Sequence, residues 1–142
     1  MLNRRFFARE AEVVARDLIG CVLVHRVDGK ELRGRVVETE AYVGEHDLAC
    51  HASKGRTGRT ELLFGAAGHA YVYFIYGMHD MLNVVTGKTG VAQAVLIRAA
   101  EPLRGWPEGV SPRHLSGPGK LAKGFGITRA ENGIDLTGTA DD

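Results

Sequence analysis

A chain of 142 residues, 44% hydrophobic and 25% charged, has the length and composition of one globular domain with a single core. Its formal net charge of +1 gives no global attraction to a polyanion, so any such partner must be gripped by a local patch. It has no run of about 18 apolar residues and no basic-then-apolar amino terminus, which argues against a membrane span or secretory leader and for a cytosolic protein; Cys21 and Cys50 are too few for a disulfide framework.

Phe7, Ala11, Val14 and Leu18 recur at helical spacing among Arg4, Arg5, Arg9 and Arg16, which predicts an amphipathic opening helix stopped by Gly20. Residues 19–24 and 31–41 then read as strands joined by Asp28-Gly29, a strong hairpin signal. The second strand runs from Gly34 through Val36 and Val37 into Glu38, Thr39, Glu40 and Tyr42, ending at Gly44. Alternation puts Glu38 and Glu40 on one face with Cα atoms roughly 6.6 Å apart, and Tyr42 continues the row. Two carboxylates held so close and partly desolvated would make a general base available near neutral pH; two acids on a solvated strand edge would do nothing.

Residues 45–68 form a long Gly-dotted excursion, predicted to hold two short helices, and long loops in small domains usually carry function. Glu45, His46, Asp47, Cys50 and His51 are metal-ligand types, but none of the spacings of known zinc sites occurs, and no metal is expected. Lys54, Arg56 and Arg59 alternate with Gly and Thr, a pattern that can offer cations and backbone N–H groups to phosphates or simply form a solvated turn.

Residues 70–76 and 81–86 read as a second hairpin, with 91–99 a further strand that Arg98 ends, giving a mainly antiparallel sheet. Three of the four tyrosines fall here: Tyr71 and Tyr73 share a strand face, while Tyr76 lies at the turn, where its ring would project from the hairpin tip. Such rings are either core packing or a cage for a flat substrate. Asn83 interrupts an apolar run and, like Arg98, must find polar partners, as structural glue or as part of a site. Farther on, Ser116 could cap a helix whose first turn holds Pro118 and Lys120, a weak candidate for anion binding.

Taken in order, Val-Glu-Thr-Glu-Ala-Tyr at 37–42, Ala-Cys-His at 49–51, Tyr-Val-Tyr-Phe-Ile-Tyr-Gly-Met at 71–78, Leu-Asn-Val at 82–84, Leu-Ile-Arg-Ala-Ala-Glu-Pro at 96–102 and Gly-Pro-Gly-Lys-Leu at 117–121 resemble the alkyladenine (3-methyladenine) DNA glycosylases of the mammalian alkylpurine type. The resemblance spans about residues 4–138. It implies a bacterial member with a single α+β domain over residues 1–142, built on a curved, mainly antiparallel sheet with short flanking helices. It also implies excision of alkylated or deaminated purines from duplex DNA, the first step of base-excision repair, by a monomer with no cofactor and no membrane partner. Such an enzyme would be cytoplasmic and associated with the nucleoid through DNA.

Carried over by position, Glu40 matches the family's water-activating base and Arg98 the arginine that helps hold that water. Tyr42, His51 and Tyr73 match the walls of the base pocket, and Asn83 the residue that crowds a guanine amino group. Tyr76 matches the ring pushed into the gap left by the extruded nucleotide, with Met78, Arg56, Arg59 and Lys120 as further DNA contacts. In that family a later strand supplies a carbonyl to the nucleophilic water, whereas this sequence ends at Asp142. The expectation is therefore a short C-terminus that weakens rate and stability, and Gly58, where the family often has Pro, is expected to loosen the basic loop. Two other functions stay open: a non-catalytic module that binds damaged bases, and a small nucleoside or sugar hydrolase using Glu38 and Glu40 as an acid and base pair.

Overall fold

The structure is a computed structural model that describes residues 2–43, 61–75 and 79–137. Two short helices open it, α1 (Arg4–Phe7) and α2 (Ala11–Leu18), where the apolar spacing predicts one. The two are separated by Glu10, whose backbone is extended (φ −55°, ψ 141°), and α1 is capped locally at both ends. Asn3 accepts from the Phe6 N–H, and the Arg9 guanidinium donates to the Phe6 carbonyl at 2.8 Å. Phe7, Ala11, Val14 and Leu18 are nevertheless all buried, and Gly20 has the left-handed backbone (φ 92°) expected just past the end of α2.

Five strands follow: β1 (Val22–Val27), β2 (Lys30–Val43), β3 (Ala70–Ile75), β4 (His79–Val85) and β5 (Gln93–Arg104). They form one curved antiparallel sheet in the order β1-β2-β5-β4-β3, the α+β architecture anticipated from sequence. The β1–β2 turn has positive φ at both Asp28 (51°) and Gly29 (75°), as a two-residue hairpin with the right twist demands. One expectation fails at β5, which does not end at Arg98 but continues to Arg104. The first half of β2 is long enough to pair with it there, matching Arg35 with Glu101 and Gly34 with Pro102.

Helices α2 and α3 (Pro118–Phe125) cover one face of the sheet. Val14, Leu18, Leu121 and Phe125 pack there against Leu32, Val36, Val84, Val95 and Ile97, and each such side chain contributes about 1.5–3 kcal/mol on burial. Gly34 lets the Phe125 ring approach: a Cβ at that position would lie 2.7 Å from the Phe125 Cζ. The N-cap of α3 is Gly117 (φ 114°) and not Ser116, which instead forms a β-bridge with Ala99.

The outer edge of β3 is covered by residues 132–136. Ala70 donates to Ile134, Leu136 donates to Gly68, and Val72 donates to the Asn132 side chain. Asp135 fastens that segment to the opening helix through a 2.6 Å ion pair with Arg4, which also donates to the Ala67 carbonyl. No helix among the described residues is long and apolar enough to cross a membrane.

Candidate active site

The strand carrying the two glutamates changes phase part-way along. Before the change Leu32 and Val36 are buried under the helices, so even-numbered residues face inward; after it Ala41 and Val43 pack on the same core and Thr39 donates to the Ala15 carbonyl of α2 at 2.8 Å. The switch falls where the β2–β5 ladder is irregular, with Val37 and Arg98 outside the paired positions. Strand β5 switches at the same rung, since Val95 and Ile97 lie in the helix-covered core before Ala100 does. A bulge of this kind re-aims side chains. Without it, Glu38 and Glu40 would point into the apolar core.

Both glutamates therefore lie on the sheet face opposite the helices, and Arg98 reaches both. Its Nη1 donates to Glu40 Oε1 at 2.8 Å and its Nε to Glu38 Oε1 at 3.4 Å. Among the described residues, Glu40 Oε2 accepts no hydrogen bond. The side chains of Arg98, Glu38 and Glu40 are 37%, 57% and 45% exposed, so of the two arrangements the spacing leaves open, a partly desolvated pair and a solvated strand edge, the carboxylates are solvated. A guanidinium placed between them offsets the repulsion that their proximity alone would create. The Arg98 backbone is fixed as well, because its carbonyl accepts from Gly117 N at 2.8 Å, at the start of α3.

The same face continues as a row across four strands. Glu40 on β2 opposes Leu96 on β5, which opposes Asn83 on β4, which opposes Tyr71 on β3. With neighbouring strands about 4.8 Å apart, Glu40 and Asn83 stand about 10 Å from each other. In the next row Tyr42 opposes Ala94, which opposes Val85, while Tyr73 opposes Met81 at the other side. Tyr71 and Tyr73 have ring centroids 6.1 Å apart, tilted by 32°, and pack with Leu63, Phe64, Val85 and Ala94 in a second apolar cluster that Tyr42 borders. Asn83 is 2% exposed and its amide donates to the Tyr71 and Met81 carbonyls at 3.3 and 3.4 Å. Those long bonds anchor a buried amide within the row.

The fold thus brings Glu40, Arg98, Tyr42, Tyr73 and Asn83 to one sheet face. Lys120 is exposed in the first turn of α3, three residues beyond the contact between Gly117 and Arg98. His51, Arg56, Arg59, Tyr76 and Met78 lie outside the described residues, as do Glu45, His46, Asp47 and Cys50. What the sequence did not disclose is that Glu38 is tied to Arg98 as well as Glu40. Its only trace in one dimension is the Glu-Thr-Glu spacing, and register decides which arginine it meets.

A family model for methylpurine-DNA glycosylase matches residues 5–141. The chain belongs to the methylpurine-DNA glycosylase family. Relatives in Myxococcus xanthus, Carboxydothermus hydrogenoformans and Methanocella arvoryzae, each named "Putative 3-methyladenine DNA glycosylase", are 58%, 52% and 48% identical to it. The alignments cover 92%, 97% and 99% of this chain and 66%, 75% and 74% of those relatives. Of the family motifs, the Glu-Thr-Glu-Ala-Tyr strand, the Leu-Asn-Val strand and the Leu-Ile-Arg strand supply the adjoining rows just described.

Proposed function

We propose that this chain is a DNA glycosylase that draws alkylated or deaminated purines out of duplex DNA and hydrolyses the N-glycosidic bond with a water activated by Glu40, leaving an abasic site. The observation that carries the reading is the Glu40–Arg98 pair, set in one sheet face with Tyr42, Tyr73 and Asn83, in a chain of this family.

A base inside the stack cannot be reached, so it must be everted, and an aromatic ring such as Tyr76 fills the gap against an unstacking cost of a few kcal/mol. The everted purine lies against Tyr42 and Tyr73. Purines alkylated at N3 or N7 carry positive charge, and an aromatic face attracts such a cation by about 0.5–2 kcal/mol. Asn83, its amide bonded to two carbonyls, screens the base edge presented to it.

With Oε1 occupied by Arg98, Glu40 accepts the water proton on Oε2. The water oxygen forms the new bond to the sugar anomeric carbon as the glycosidic electron pair departs with the purine, and the carboxylate stabilises the oxocarbenium character between them. A cationic alkylpurine leaves as a neutral base and needs no acid; a neutral deaminated purine takes up a proton from solvent as it departs. No lysine attacks the sugar in this scheme, so the enzyme has no Schiff-base lyase activity.

The test is a duplex oligonucleotide containing hypoxanthine or ethenoadenine. Alkali-labile breaks at the lesion are expected with the wild type and are abolished by Glu40→Gln. Release of the base by Glu40→Gln at the wild-type rate would refute the assignment.

A further inference from the structure

We infer that Glu38 is a positioning residue for the Glu40–Arg98 pair: by holding the guanidinium at Nε it restricts Arg98 to one bond with Glu40 and keeps Glu40 Oε2 open to water. The inference rests on the reading of Glu40 as the water-activating carboxylate and adds a second acid with a different task.

An arginine beside a single carboxylate tends toward the two-pronged arrangement in which two N–H groups meet both oxygens. That arrangement would be harmful here, because it occupies the oxygen that must take the water proton. The observed geometry avoids it: Glu40 receives Nη1 at 2.8 Å through Oε1, while Glu38 receives Nε at 3.4 Å. The planar guanidinium is thus shared between two carboxylates. Glu38 holds this place because the β2 irregularity exposes both Val37 and Glu38 and turns Glu38 toward the Arg98 side of the sheet. The arginine has little freedom to move away through its backbone, since its carbonyl is bonded to Gly117 and Ala99 bridges to Ser116.

Glu38 is the more solvent-exposed of the two acids, at 57% against 45% for Glu40, as suits a group that stands behind the arginine and not over the base. Its ion pair is too exposed to matter much for folding, since exposed pairs typically contribute little stability. A Glu at this position that served only as a solvated surface acid could be replaced without consequence.

The experiment measures single-turnover release of hypoxanthine from a duplex, affinity for a duplex bearing a tetrahydrofuran abasic analogue, and thermal unfolding, for the wild type and a set of variants. Glu38→Leu is expected to slow release by about tenfold to a hundredfold, the scale for a displaced catalytic group, with analogue affinity changed by less than about twofold. Glu38→Gln keeps an acceptor for Nε and is expected to recover most of the rate. In an Arg98→Lys background, where an ammonium cannot present a planar fork, Glu38→Leu is expected to slow release no further.

Wild-type release by Glu38→Leu would overturn the inference while leaving Glu40 in its role. So would equal losses in the Gln and Leu variants, or a rate loss matched by lost affinity and a lowered melting temperature. If the wild type itself releases no hypoxanthine or ethenoadenine, the proposed function fails and the role of Glu38 fails with it.

Discussion

Replacing Gln93 with Leu should destabilise the protein by removing a cap that lies 82 residues from the helix end it serves. The first N–H groups of a helix lack partners within the helix, and the residue preceding α2, Glu10, makes no side-chain cap bond. Gln93 supplies one from the start of β5: its Oε1 accepts from Ala11 N at 2.9 Å, with Gln93 5% and Ala11 0% exposed. Leu fills nearly the same volume, so little cavity forms, and the loss is chiefly that of a buried donor left unsatisfied, about 1–3 kcal/mol. At roughly 2.1 cal/mol/K of unfolding entropy per residue, a chain of 142 residues loses about 3 °C of melting temperature per kcal/mol, so the expected drop is roughly 3–10 °C. Thermal unfolding followed by circular dichroism reads this directly, with Glu10→Ala expected to melt close to the wild type. A Gln93→Leu protein that melts within about 1 °C of wild type, or a Glu10→Ala loss as large, would refute the capping argument.

Arg98→Ala should lower hypoxanthine release by about a hundredfold yet cost no more than about 1 kcal/mol in urea unfolding, because both its ion pairs are exposed. Gly34→Ala drives a methyl group to within 2.7 Å of the Phe125 ring and 3.2 Å of the Ala100 Cβ, and overpacking of this kind costs about 1–3 kcal/mol; Phe125→Leu in the same chain should recover part of it in a denaturation series. The Thr137 hydroxyl, the Thr137 N–H and Arg4 hold the Asp135 carboxyl well below the usual carboxylate range. A depressed native value means that the stabilisation is complete above the unfolded value of about 3.9 and fades as pH falls below it, so Asp135→Asn should destabilise at pH 7, with the gap from wild type narrowing at pH 3.

Sequence reading was strongest where local chemistry decides the structure. Asp28-Gly29 defines its turn by positive φ at both residues, and the apolar spacing of Phe7, Ala11, Val14 and Leu18 identifies the buried side of the opening segment even though the helix there is in two pieces. The row of Glu38, Glu40 and Tyr42 on one strand and the common face of Tyr71 and Tyr73 on another are legible in the same way, because alternation along a strand is a local property; that the two strands present those residues on one side of the sheet follows from register. Long-range pairing was illegible. The residue pattern stops the fifth strand at Arg98, but the ladder with β2 carries it to Arg104, and nothing near Ala11 announces that Gln93 will cap it. Ser116 looked like a helix cap by type, but it forms a bridge with Ala99 and leaves the cap to Gly117. The solvation of Glu38 and Glu40 and their shared guanidinium follow from register, which one strand's sequence does not contain.

The simultaneous change of phase in β2 and β5 also bears on how such sequences can drift in length. Pairing of Thr39 with Ile97 and of Val36 with Ala100 is preserved only because each strand carries its irregularity at the same level. Deleting Val37 alone would swing the acidic end of β2 into the greasy interior while β5 stayed put, and a compensating deletion at Arg98 would discard the cation itself. Gaps among related sequences should therefore collect in the connecting loops and leave these two stretches uncut.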